Sequence, residues 1–191
     1  MTNSKSNFVF IVFKDSFVLG IIDFLRTALG GKISDQPHIT IQGPLPERVT
    51  AEKIDGVKRA LGKDEILLAN PKCFEFGSNI VLYMSATSAH MASVWNKPDY
   101  PIDKFGFNPH VTIYEGTNKE KVHAAIRFLK REPIELICRD FDVMPYVSKQ
   151  IEMFATKVTP ADEFAFQRLL SHGKVGSTFR ARFLAALNSA A

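Results

Sequence analysis

Apolar positions along this chain switch between a period of two and a period near 3.6, and the switches mark out its elements. Residues 8–13 form an uninterrupted apolar run of strand length. Val18, Ile21, Ile22, Leu25 and Leu29 then follow the i, i+3, i+4, i+7, i+11 stripe of an amphipathic helix. Asp15 is placed to cap that helix and Gly30-Gly31 to end it. A strand over 38–42 leads into a Gly43-Pro44-Leu45-Pro46 loop. Thr50 opens a helix with Ile54, Val57 and Leu61 on one face and Gly62 as its stop. Residues 66–76 predict a strand broken near Asn70-Pro71, and Gly77-Ser78-Asn79 a turn.

The pattern then restarts. Residues 80–84 predict a strand, 87–96 a helix ended by Pro98, and residues from His110 a second strand. A Thr117–Glu120 capping box opens a helix carrying Val122, Ala125, Ile126 and Leu129. Strands at 134–143 and 150–158 are expected, joined by a turn near Pro145. So β-α-β-α-β occurs twice, over about 7–77 and 78–158. The interval from Phe8 to His38 equals that from Ile80 to His110. Two copies are too few for a solenoid. The expected class is α+β: duplicated halves forming two pseudo-two-fold-related lobes with antiparallel sheets around a central cleft. Residues 1–158 make that bilobal unit and 159–191 a helical extension opened by Thr159-Pro160-Ala161-Asp162. Arg168, Lys174, Arg180 and Arg182 in the extension fit either a helix packed on the body or a basic lid over the cleft.

The repeat is also spelled out in letters. Pro37-His38-Ile39-Thr40-Ile41 returns as Pro109-His110-Val111-Thr112-Ile113, with Gln36 or Asn108 in front and Gly43 or Gly116 behind. Proline fits a strand's first residue. Alternation then puts His38 with Thr40, and His110 with Thr112, on one face of each strand. Two such strands at a shared cleft bring together two imidazoles and two hydroxyls. Neutral imidazole takes a proton near pH 7 and imidazolium gives one to a leaving oxygen. Hydroxyls hydrogen-bond the non-bridging oxygens of a phosphate as charge develops. His38 and His110 are therefore the candidate acid–base pair, in either order, and Thr40 and Thr112 the phosphate clamps. The same parity extends to Gln42 and Tyr114, the first to read a base edge, the second to stack or to bind a phosphate or ribose hydroxyl. Trp95, Tyr100, Phe105 and Phe107 precede the second motif, as core residues or as a base-stacking wall in which Phe107 contacts substrate.

Composition narrows the setting. With 191 residues, 46% hydrophobic and 23% charged, the chain can bury a core and reads as an ordinary soluble protein. No apolar run approaches the ~18 residues of a membrane span. A net charge of +4 is compatible with an anionic substrate without selecting one. Cys73 and Cys138, without paired spacing, read as reduced core residues of a cytoplasmic protein. His90, His123 and His172 form no H-x-x-x-H pair, so no metal site is expected. Lys53-Ile54-Asp55-Gly56 matches the K-x-D-G of ATP-dependent ligases, but it falls on a helix with no P-loop elsewhere, which marks a chance match.

The paired His38-Ile39-Thr40-Ile41 and His110-Val111-Thr112-Ile113, in an internal repeat of this length, resemble the 2H phosphoesterase superfamily, over roughly residues 7 to 158. That superfamily includes 2′-5′ RNA ligase-like proteins and cyclic nucleotide phosphodiesterases. The resemblance implies a metal-free, cofactor-free site between two lobes. It acts on 2′,3′-cyclic or 2′-5′ phosphodiesters of RNA ends or small nucleotides, in RNA processing, with ligation as the ATP-independent reverse. A cytoplasmic monomer is expected. The rival reading is a non-catalytic nucleotide or RNA-end binding module, which would need neither acid nor base.

Overall fold

The computed structural model describes residues 6–30, 36–97, 102–147 and 177–189. The strands are β1 (Asn7–Phe13), β2 (His38–Leu45), β3 (Ile66–Phe76), β4 (Asn79–Thr87), β5 (His110–Gly116), β6 (Leu136–Cys138) and β7 (Phe141–Val147). They join in one sheet of order β6-β3-β4-β5-β2-β1-β7, with every strand pairing antiparallel. The two His-Thr strands, β2 and β5, are neighbours near its middle.

Alternation makes one face of the sheet apolar. Val9, Ile11 and Phe13 of β1, Ile39 and Ile41 of β2, Leu82 and Met84 of β4 and Val111 of β5 are all fully buried in a single core. Helices α1 (Ser16–Leu29), α2 (Ala51–Leu61) and α5 (Lys119–Arg131) cover that face with their apolar stripes, Val18-Ile21-Ile22-Leu25, Ile54-Val57-Leu61 and Val122-Ala125-Phe128-Leu129. The other face carries His38, Thr40, His110 and Thr112. A two-layer α+β arrangement thus hides one side of the sheet and leaves the other for a site.

The helix ends follow local chemistry. Asp15 accepts hydrogen bonds from the Phe17 and Val18 amides, and Gly30 closes α1 at φ 71°. Thr50 caps α2 through the Lys53 amide. The α5 cap is Asn118, whose Oδ1 accepts from the Lys121 amide at 2.9 Å, and not the Thr117 of the expected capping box. β2 also runs on through the expected loop to Leu45. It does so because Gly43, at φ 112°, lets it lie against β1, where a Cβ would come within 2.7 Å of the Asn7 carbonyl oxygen.

Three further expectations change. The strand at 80–84 continues to Thr87, so the helix expected over 87–96 shrinks to α3 (Met91–Val94). Trp95 leaves it in extended form, and Asn96 bonds to β2 through Asn96 N–Ile41 O at 2.7 Å and Gly43 N–Asn96 O at 2.9 Å. The loop before β5 holds a short helix, α4 (Ile102–Phe105). Pro145 lies within β7, opposite Val9, which an edge strand tolerates; the chain turns earlier, at Arg139-Asp140. Pro98, Tyr100, the strand at 150–158, the Thr159–Asp162 helix start, Arg168, His172 and Lys174 lie outside the described residues.

Helix α6 (Ser177–Asn188) docks on the helical layer. Phe183 is fully buried against Phe24 of α1 at 5.7 Å and Phe128 of α5 at 5.4 Å, ring centre to ring centre. Arg180 lies over the Phe24 ring and Arg182 pairs with Glu132. Among the described residues no helix is long and apolar enough to cross a membrane.

Candidate active site

The two Pro-His turns are built alike. In each, the histidine Nδ1 meets the backbone carbonyl two residues back, His38 with Gln36 at 2.9 Å and His110 with Asn108 at 2.8 Å. A carbonyl only accepts, so Nδ1 must carry the proton in both rings. In the neutral ring the lone pair is then on Nε2, on the side away from the backbone. The amides in front fix the carbonyls. Gln36 Nε2 donates to the Phe13 carbonyl at 3.3 Å, and Asn108 Nδ2 to the Tyr83 hydroxyl at 3.2 Å.

β2 and β5 meet at the pair Ile39–Val111. In an antiparallel ladder this sets His38 across from Thr112 and Thr40 across from His110, all on the face opposite the buried Ile39 and Val111. The two histidines are diagonal neighbours across the pair, a relation in which residues usually stand ~7–8 Å apart. All four motif side chains are thus brought together on one face of a single seam.

Aromatic rings flank each imidazole. Phe10, opposite Thr40, stacks on His38 at 4.0 Å, and Tyr146 stacks on Phe10 at 4.5 Å. Tyr83, opposite Thr112, lies 4.8 Å from His110, and Phe74 packs on both. Nothing in the motif letters marks these four rings. Their signal is cross-strand register, which appears only once the strands are paired.

Burial pushes the His110 pKa down from 6.5 to about 4, further lowered by the charges of Lys97 and His38 and opposed by the Asn108 carbonyl. His110 is therefore neutral at pH 7. The unfolded chain protonates this residue near pH 6.5 while the native state resists until about pH 4. His110's contribution to stability should therefore fall as pH drops through that window and change no further below it. Thermal melts across it should show this slope, and His110→Asn should flatten it; an unchanged slope in the variant would refute the assignment.

Gln42 and Tyr114 are not on this face. The β1–β2 register jumps from Phe10–Thr40 to Val9–Gln42, and the β4–β5 register from Tyr83–Thr112 to Leu82–Tyr114. Each jump is a β-bulge that turns the next side chain back into the core. Gln42 is 8% exposed and donates to the Val94 carbonyl; Tyr114 is 5% exposed and its hydroxyl accepts from the Asn118 amide. Simple alternation missed the extra residue. Phe107 is 49% exposed and edge-on to Trp95, on the segment entering β5. Ser85, opposite His110 in register, was not singled out by sequence; its Oγ is buried and makes no hydrogen bond among the described residues.

Cys73 and Glu75 of β3 with His123 of α5 bring ligand-type atoms within 4.8 Å of one another. They sit on the helical side, because Phe74 between them faces His110. Glu75 is already held by Lys119 at 2.7 Å and His123 at 3.3 Å, and these contacts lower its pKa. His90 is clamped by Asp64, Nδ1 to Oδ1 at 2.7 Å. Lys53 and Asp55 are exposed on α2 while Ile54 is buried. No protein-family model, no curated protein and no solved structure matches this chain.

Proposed function

We propose that this chain is a phosphodiesterase of the two-histidine acid–base type, similar to the 2H phosphoesterases, acting on 2′,3′-cyclic or 2′-5′-linked RNA-type diesters. One observation carries the reading: the two Pro-His-x-Thr strands are neighbours, with both histidines and both threonines on one open face and both Nδ1 atoms tied back in the same way. A phosphate between the rings meets one imidazole on each side. His110, kept neutral, takes the proton of the attacking oxygen. His38, as imidazolium, gives its proton to the departing oxygen as the P–O bond breaks. Thr40 and Thr112 donate to the non-bridging oxygens. In reverse, a 5′ hydroxyl attacks the phosphorus of a 2′,3′-cyclic phosphate and the 3′ oxygen leaves with a proton, which forms a 2′-5′ diester without ATP.

Matched details favour an origin by duplication into two pseudo-two-fold-related halves. Phe10 and Tyr83 hold equivalent registers, and the bulges follow each Thr at the same step. The reading is tested on a panel of 2′,3′-cyclic nucleotides and 2′-5′ dinucleotides in EDTA. The expected result is turnover of at least one linkage with chelator present, because two imidazoles supply both proton transfers. Activity lost in EDTA and restored by a divalent ion would refute metal independence. Binding of the panel without turnover of any member would leave a nucleotide-binding module instead.

A further inference from the structure

Two side chains of β3 and one of α5 converge on the helical layer. Cys73 and Glu75 are two residues apart on β3, so alternation points both to the side away from His110. His123 comes from the first turns of α5, where it follows Lys119 by one i, i+4 step and shares its face. The two helix residues grip one carboxylate. Lys119 Nζ holds Glu75 Oε2 at 2.7 Å, and His123 Nε2 stands 3.3 Å from Oε1. The free thiol of Cys73 completes a triangle in which all three ligand-type atoms are within 4.8 Å of one another. No spacing rule reveals it, because two corners come from a strand and the third from a distant helix.

The distances suit one kind of ion. Zinc takes nitrogen and oxygen ligands at ~2.0–2.1 Å in tetrahedral sites, which sets two such atoms ~3.3 Å apart. The His123 nitrogen and the Glu75 oxygen already have that separation. With a Zn–S bond of ~2.3 Å the sulfur belongs ~3.6 Å from each, so from a limit of 4.8 Å it travels at most ~1.2 Å. The donors also select the ion. Thiolate and imidazole favour zinc-like transition ions, whereas magnesium and calcium prefer oxygen. Lys119 stays on the carboxylate oxygen the ion does not use, an outer hydrogen bond of the kind that orients metal-binding carboxylates. His123 and Glu75 are 43% and 44% exposed, which leaves a fourth position open to water.

We propose that Cys73, Glu75 and His123 form a binding site for one zinc-class divalent ion that ties β3 to α5. On binding, the thiol S–H bond is replaced by S–Zn and its proton goes to solvent. Phe74, between the two strand ligands, faces His110, so the ion is across the sheet from the histidine pair.

Titration of the reduced, EDTA-dialysed full chain with cobalt(II), followed by displacement with zinc, tests it. One equivalent of cobalt should raise a thiolate-to-cobalt charge-transfer band together with tetrahedral d–d bands, and zinc should erase both. Cys73→Ser should lose the charge-transfer band. Lys119→Met, which removes only the outer partner, should weaken zinc binding by ~10–100-fold, and His123→Ala should weaken it more. Zinc should raise the melting temperature of the wild type and leave that of Cys73→Ser unchanged. A wild type that shows no charge-transfer band overturns the site. So does a band that survives in Cys73→Ser, which would place the thiolate at Cys138, or a zinc affinity that His123→Ala leaves unchanged.

Discussion

His38→Ala and His110→Ala should each lower phosphodiester turnover by ~10²–10⁴-fold, the usual loss when a general acid or base is removed. The fall should be in kcat, since a phosphate clamped by Thr40 and Thr112 can still bind. The double variant should lose less than the product of the single losses, as two rings that act on one phosphorus in the proposed reaction would. The pair should also split by leaving group. A p-nitrophenyl ester departs as phenolate and needs no proton, so His38→Ala should be partly rescued on it and His110→Ala should not. Rescue of the opposite variant would reverse the acid and base assignments. Activity within threefold of wild type would remove that histidine from the mechanism.

Phe183→Ala should destabilise the fold by about 3–5 kcal/mol, the range for emptying a fully buried aromatic site. Phe183 is fully buried, with Phe24, Phe128 and Phe179 around it. The variant leaves a void between three helices, and their backbones cannot close it without giving up contacts on the sheet. Chemical denaturation read by circular dichroism measures the loss. Phe183→Leu, which keeps most of the volume, should cost clearly less. An alanine variant within 1 kcal/mol of wild type would mean that α6 adds little to the native state. Because Phe183 is on the helical side, folded Phe183→Ala should keep its nucleotide affinity at low temperature.

The elements that were legible in the sequence are those set by local chemistry. Asp15, Gly30, Thr50 and Gly62 begin and end their helices where cap rules put them. The stripe from Val18 to Leu29 buries the face it predicts. His38, Thr40, His110 and Thr112 share a face because alternation holds from Ile39 to Thr40 and from Val111 to Thr112. What was not legible depends on a partner strand. Gln42 and Tyr114 turn inward because β1 and β4 pair past an extra residue, which no count along β2 or β5 reveals. The helix expected near Ser88 lost most of its length because Asn96 found backbone partners on β2, and Pro145 entered a strand because β7 is at the sheet edge. Phe10 and Tyr146, the rings nearest His38, came from an apolar run and from a supposed turn, and only pairing makes them part of the site.

The bulges after Thr40 and Thr112 also limit what the repeated motif can encode. A strand read by parity alone would carry reaction chemistry at every second letter for its whole length. Here the open-face run stops after two words, His and Thr, and the next side chains are spoken for inside, Gln42 by the Val94 carbonyl and Tyr114 by the Asn118 amide. Substitutions at Gln42 or Tyr114 should therefore behave as core mutations, changing melting temperature before substrate choice. A pattern written to find other chains of this design should end at the threonine and resume on the neighbouring strand, where Phe10 and Tyr83 stand opposite it.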